Sequence, residues 1–257
     1  MQQHLAIARR FLPVVDAAAL ADPRRSDRLR IRREGEIDVV YAPFDHIERG
    51  AKLAILGITP GLTQAANALR AAHEARRLGL EAQLARAKLT ASFSGAMRAN
   101  LVAMLDRIGV ATHLGLGSAA ELFAPGASRV HLTSALRYPV FMGGRNYNGT
   151  PDMLGTPVLR AMIETHLAEE VRLLPDALWL PLGPQAGKAL AHLVGQGEID
   201  PARILSGLPH PSGANAERVA VFLGRKPAHL ASRQTRAAPL LAAAERLGAQ
   251  VAQLGRA

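Results

Sequence analysis

Four segments read as strands along the chain, at Leu53–Ile58, Val130–Leu136, Ala177–Leu182 and Ala202–Ser206. The first is continuously apolar rather than alternating, as expected of a central parallel strand. Between them, apolar residues recur at helical spacing from Thr63 to about Leu78, from Leu84 to Leu89 and from Asn100 to Ile108. The same spacing marks Leu159, Met162, Ile163, Leu167 and Val171, then Pro184–Val194 and Val219–Leu223. Near the start, Ile7–Ala21 reads as one helix, while Leu29–Arg33 and Ile37–Tyr41 alternate around Glu34-Gly35-Glu36 as a hairpin would. Val110–Leu116 reads as a short strand, Ser118–Phe123 as a short helix and residues 143–149 as an irregular loop. The end of the chain is helical, with breaks expected at Pro227 and Pro239.

Strands alternating with helices predict an α/β fold, a mostly parallel sheet with helices on both faces. Each strand would then deliver its following loop to one edge. That edge would collect Thr59-Pro60-Gly61, Ser134–Phe141, Gly183-Pro184 and Pro209–Asn215. Open α/β sheets bind their ligands there. The organisation expected is an N-terminal extension over residues 1–50, a main domain over 51–226 and a basic helical extension over 227–257.

Composition narrows the chemistry. The 257 residues contain no cysteine, which excludes disulfides, thiolate nucleophiles and cysteine-held metal clusters. The nine histidines show no metal-ligand spacing, so scattered surface and core histidines are the better account and no metal is expected. No apolar run approaches membrane-spanning length and the N-terminus carries no signal pattern, so a cytoplasmic protein without a membrane partner is expected. The formal net charge is +10. Residues 224–257 hold six Lys or Arg against Glu245 alone, and Arg24–Arg33 forms a second basic cluster. Such an excess points to a polyanion partner, most simply nucleic acid. Aromatics are only 4% of residues, too few for a broad base-stacking platform.

Two motifs invite chemistry. Gly115-Leu116-Gly117-Ser118-Ala119-Ala120 matches a dinucleotide fingerprint, but no acid stands about twenty residues on and the strand before it is not the first; a turn opening a helix is the better reading. The second is His210-Pro211-Ser212-Gly213-Ala214-Asn215. Pro209 and Pro211 each fix their own φ and push the preceding residue out of helical geometry, so His210 sits on a stiff extended turn. Ser212 or Asn215 can cap the helix that follows.

Four stations occur in a telling order: Gly57-Ile58-Thr59-Pro60-Gly61, Phe93-Ser94-Gly95, Leu132–Pro139 and His210–Asn215. From about Leu53 to Leu223 the chain resembles the uracil-DNA glycosylase superfamily. The resemblance implies a three-layer α/β/α fold around a short, mostly parallel sheet. It also implies a monomeric, cofactor-free enzyme that removes uracil or a related damaged pyrimidine from single- or double-stranded DNA. His210 would stabilise the negative charge gathering on the departing base and Thr59 would hold the attacking water. Gly57, Ile58, Pro60 and Gly61 would line the base pocket, Phe93 would stack on the base and Ser134 would touch its edge. Pro211, Ser212, Gly213 and Asn215 would press against DNA, with Arg218 reaching a phosphate.

Two positions depart from the family. Thr59 stands where most branches have Asp or Asn, and Ser134 where many have Asn. Asp152 is the nearest alternative carboxylate in the sequence. The alternative function is a nucleic-acid-binding protein that keeps the glycosylase fold with little chemistry. A nucleotide-dependent enzyme using Gly115–Ala120 ranks below both.

Overall fold

The computed structural model describes residues 3–92, 96–124 and 126–254. Helix α1 (Gln3–Phe11) opens it, and the helix expected over 7–21 is interrupted. Pro13 lies in a 3-10 turn, and Asp16 then accepts the Ala19 amide at 2.8 Å to start α2 (Ala17–Ala21) afresh. Strands β1 (Arg30–Glu34) and β2 (Ile37–Val40) form the expected hairpin.

β3 (Leu53–Gly57) runs into α3 (Leu62–Glu74), followed by α4 (Leu80–Ala91) and α5 (Ala96–Arg107). The strand expected at 110–116 is instead the short helix α6 (Val110–His113). Gly109, at φ 80°, ends α5, and Val110, Ala111 and Leu114 fall at helical spacing on one buried face. Next come β4 (Val130–Ser134), β5 (Val140–Met142) and β6 (Arg145–Asn146). The loop expected at 143–149 is thus largely a tight hairpin, made possible by Gly143 and Gly144 at φ 54° and 74°.

Helices α7 (Pro157–Met162) and α8 (Ala168–Leu173) are continuous through a π-helical turn at Ile163–Leu167. β7 (Leu178–Pro181) and α9 (Pro184–Gly195) follow. The last expected strand shrinks to one parallel bridge, Ile204 to Trp179, because Asp200 caps a 3-10 turn at Pro201–Arg203 where pairing would have begun. The chain closes with α10 (Ala216–Phe222) and α11 (Ala237–Gln253). Pro239 does not break α11, since it lies in the first turn, where no amide is needed.

The parallel sheet has the order β4-β3-β7, with Leu53 opposite both Val130 and Leu178. The antiparallel sheet has the order β1-β2-β5-β6, so the hairpin from the first fifty residues is completed by β5. Along β3 the side chains alternate between two cores. Ala54 and Leu56 join Leu69, Leu84, Leu167 and Leu190; Leu53 and Ile55 join Leu101, Leu105, Val219 and Leu247. Both faces of the parallel sheet are therefore buried. The C-terminal helix is part of the fold: Ala244, Leu247 and Val251 of α11 are buried in the second core.

Candidate functional site

β3, β4 and β7 all end at one edge, and the chain folds His210 against it. After β7 the Gly183 amide donates to the Leu208 carbonyl at 3.1 Å. Gly183 sits at φ 83°, and a Cβ there would lie 3.9 Å from that of His210. Asn100 of α5 donates its side-chain amide to the Pro211 carbonyl at 2.9 Å. Pro211 is buried, Ser212 and Asn215 are half-buried and Gly213 and Arg218 are exposed. Asn215 donates to the Ser212 hydroxyl at 3.1 Å rather than capping α10.

The imidazole of His210 has a defined state. Its Nδ1 accepts the Ser212 amide at 3.3 Å, which assigns the proton of the neutral ring to Nε2. Burial lowers its pKa, so the ring is neutral at physiological pH. Nε2–H has no protein acceptor among the described residues. His210 is therefore a held, neutral hydrogen-bond donor at the mouth of the edge.

The turn after β3 is spent differently. The Thr59 hydroxyl donates to the Tyr138 carbonyl and accepts the Val140 amide, both at 3.1 Å. It ties the parallel sheet to β5. Its one proton is used and a single lone pair remains. The Gly61 amide donates to Gln64 Oε1 at 2.9 Å, and the Leu62 amide to Asn146 Oδ1 at 2.9 Å. The Gly61 amide is thus taken by a side chain of the same chain. Gly61 serves instead as a close approach, since a Cβ would lie 3.3 Å from Asn146 Nδ2. Pro60 has no N–H and supplies only wall.

A small cavity opens between β4 and α4, lined by Phe44, Pro60, Gln64, Lys88, Ser92, Leu132, Thr133, Ser134 and Arg137. Its free volume is about 20 Å³, room for one water. Of the expected base-binding residues, Pro60 and Ser134 meet here; Gly57 and Ile58 stand behind at the end of β3, and His210 and Thr59 are not in its wall. Phe93 lies outside the described residues. Asp152 takes no part, because its carboxylate accepts the Leu154 and Gly155 amides and the Lys188 ammonium.

Behind this cavity lies a charge cluster that the pattern of the sequence did not announce. Arg137, 1% exposed, donates to Glu170 at 2.7 Å, to Glu169 at 3.3 Å and to the His166 carbonyl at 3.0 Å. Burial opposes the charge of Glu170, but Arg137, Lys88 and His131 outweigh it and hold its carboxyl well below the usual range. Burial and nearby Lys88 push His131 down to about 4, leaving Nε2–H to donate to Glu170 at 3.1 Å. Burial, with Arg137 beside it, likewise pushes His166 down to about 4. Asp45, accepting from Tyr138 at 2.6 Å and Tyr41 at 3.1 Å, is pushed up to about 6 by burial. Lys88 is lowered to about 8, also by burial; among the described residues its one hydrogen bond is to the His46 carbonyl at 2.6 Å, so two donors remain.

One comparison bears on ancestry. The uncharacterized protein YoxB of Bacillus subtilis (strain 168) is 37% identical over 206 residues, covering 78% of this chain and 80% of YoxB. The chain belongs to the YoxB family. No family model matches it, and no solved structure matches it significantly. Among the described residues no helix is long and apolar enough to cross a membrane. None of their histidine, aspartate and glutamate side chains gather in a group of three that could hold a metal.

Proposed function

We propose that the chain is a DNA glycosylase that hydrolyses the N-glycosidic bond of uracil or a related damaged pyrimidine. The observation that carries this reading is His210, neutral by burial, with Nδ1 satisfied by Ser212 and Nε2–H unspent at the sheet edge. As the glycosidic bond breaks, its electron pair goes to the base, and a preorganised neutral donor stabilises that charge. Water then adds to the oxocarbenium-like sugar and loses its proton to solvent. The three-layer α/β/α arrangement belongs to the same proposal, supported by the two cores on opposite faces of β3.

In this proposal a flipped base enters the sheet edge at Pro60 and Ser134, which line the small cavity. Gln64 has spent its carbonyl on Gly61, so its NH₂ can donate, beside the two remaining donors of Lys88 and the Ser134 hydroxyl. Among the described residues no carboxylate lines the cavity, and this excess of donors suits a ring rich in carbonyl oxygens. A base must widen the cavity as it enters, since the present volume holds one water.

The test is incubation with single- and double-stranded oligonucleotides carrying uracil, hydroxymethyluracil or hypoxanthine, followed by alkaline cleavage of abasic sites. Strand breaks at the uracil-type bases support the reading. Intact strands with every substrate, alongside salt-sensitive binding of undamaged DNA, would leave the second reading, a catalytically weak nucleic-acid-binding protein. The spent hydroxyl of Thr59 is what favours that alternative.

A further inference from the structure

The segment between α10 and α11 has no role in the chemistry above, yet it is tightly built. The carboxylate of Glu217, in the first turn of α10, accepts the Lys226 ammonium at 2.6 Å and the Ser232 amide at 3.1 Å. It also accepts the hydroxyls of Ser232 and Thr235. These bonds, Lys226 foremost, hold its carboxyl far below the usual range. Four donors on one carboxylate clasp the loop 224–236 against α10. Arg236, beside Thr235, holds φ 49°, a left-handed conformation that a residue other than glycine adopts only when its surroundings impose it.

The clasp leaves cations outward. Arg225, Arg233 and Arg236 are exposed, as is Arg218 one residue beyond Glu217, and none of the four makes an ion pair among the described residues. Glu217 is the one acid from Gly213 to Ala244, and its charge is already used. Leu230, 60% exposed, is the most exposed large apolar side chain among the described residues. Because α10 starts directly after the Gly213–Asn215 turn, this ridge adjoins the His210 loop.

We propose that the Glu217-clasped loop is a preorganised cationic ridge that grips the phosphate backbone of nucleic acid beside the His210 turn. Charge complementarity and continuity with that turn favour DNA over another polyanion. The inference rests on the reading that the chain binds DNA, but not on catalysis.

The experiment measures binding of an undamaged fluorescent duplex across a salt series. Each phosphate that is no longer neutralised lowers the slope of log affinity against log salt by about 0.9. The triple variant Arg225→Ala, Arg233→Ala, Arg236→Ala is expected to flatten the slope by roughly two to three and to weaken binding about 100-fold at about 0.1 M salt. Arg49→Ala, Arg70→Ala, Arg77→Ala removes the same charge from exposed positions elsewhere and should leave the slope unchanged. Glu217→Gln adds one positive charge while loosening the clasp. A preorganised ridge predicts weaker binding from it, whereas a merely attractive charge predicts tighter binding. An unchanged slope in the first variant, an equal loss in the second, or tighter binding by Glu217→Gln would overturn the proposal. So would ridge-dependent binding to phosphatidylserine vesicles with none to DNA. Base excision by a protein whose first variant binds DNA normally would overturn the ridge and leave the glycosylase reading intact; binding without excision would do the reverse.

Discussion

The His210 turn and the cluster around Arg137 treat their polar atoms in opposite ways. The His210 turn is held on both sides, by the Gly183 amide on the Leu208 carbonyl and by Asn100 on the Pro211 carbonyl, and His210 keeps one N–H unspent. Arg137, Glu170, His131 and Asp45 are almost fully buried and spend their charges and protons on one another and on their neighbours. Thr59 belongs with the second group in this respect, although it stands on the edge with the first. A group available for chemistry is one that the fold positions without consuming. A fully satisfied network rigidifies the scaffold behind it.

That contrast can be broken at several points. Arg137→Met should have the largest effect, because it strands the Glu170 carboxylate in the core; a loss of about 3–5 kcal/mol is expected in urea unfolding. A stability close to wild type would show that the cluster is not the ion network described. Acid comes next. His131 and His166 have folded pKa values near 4, below the value of 6.5 for a free histidine, so the folded state binds fewer protons than the unfolded one. Their contribution is present above pH 6.5 and is lost as pH falls towards 4. Asp45, raised to about 6, works the other way over nearly the same window. Two histidines against one carboxyl leave a net loss of a few kcal/mol, roughly 1.4 kcal/mol per unit of unbalanced shift. The melting temperature should therefore drop between pH 6.5 and 4, and a flat profile would contradict the burial of these groups.

Thr59→Val keeps the shape, but removes a donor and leaves the Val140 amide without its acceptor. About 1–3 kcal/mol should be lost, with Thr59→Ser close to neutral. If Thr59→Val were as stable as wild type, the hydroxyl would be free for a water after all. The smallest change is expected for His210→Ala, which gives up one long hydrogen bond and should cost only about 1 kcal/mol. A stability loss as large as that of Arg137→Met would place His210 among the structural residues.

Much of this contrast was half-visible in the sequence. The segments at 53–58 and 177–182 became strands because a buried parallel strand must be apolar on both faces, and 130–136 did so although His131 and Thr133 are buried polar residues within it. The segment at 202–206 did not, since a capped proline turn consumed its first residues. His210 stood out because two prolines fix the backbone around it. The cluster did not, because isolated charges in helices read as solvated. A signal was nevertheless present: Glu170 follows Ile163 and Leu167 on the same helical stripe, and Lys88 follows Leu84 by four residues. Charges in phase with an apolar stripe are candidates for buried pairs. Gln64 and Asn146 were missed for another reason, since nothing local tells which amide side chain will fold onto a particular backbone N–H.

The central claim is that His210 is a donor held ready for a leaving base. It is tested most directly by single-turnover release of free uracil from a uracil-containing oligonucleotide, with wild type and His210→Ala at equal, saturating concentration. The account predicts release by the wild type and a rate about 10²–10³-fold lower for the variant, with its fold intact. Equal rates for the two proteins, or no release by the wild type on either single- or double-stranded substrate, would contradict it.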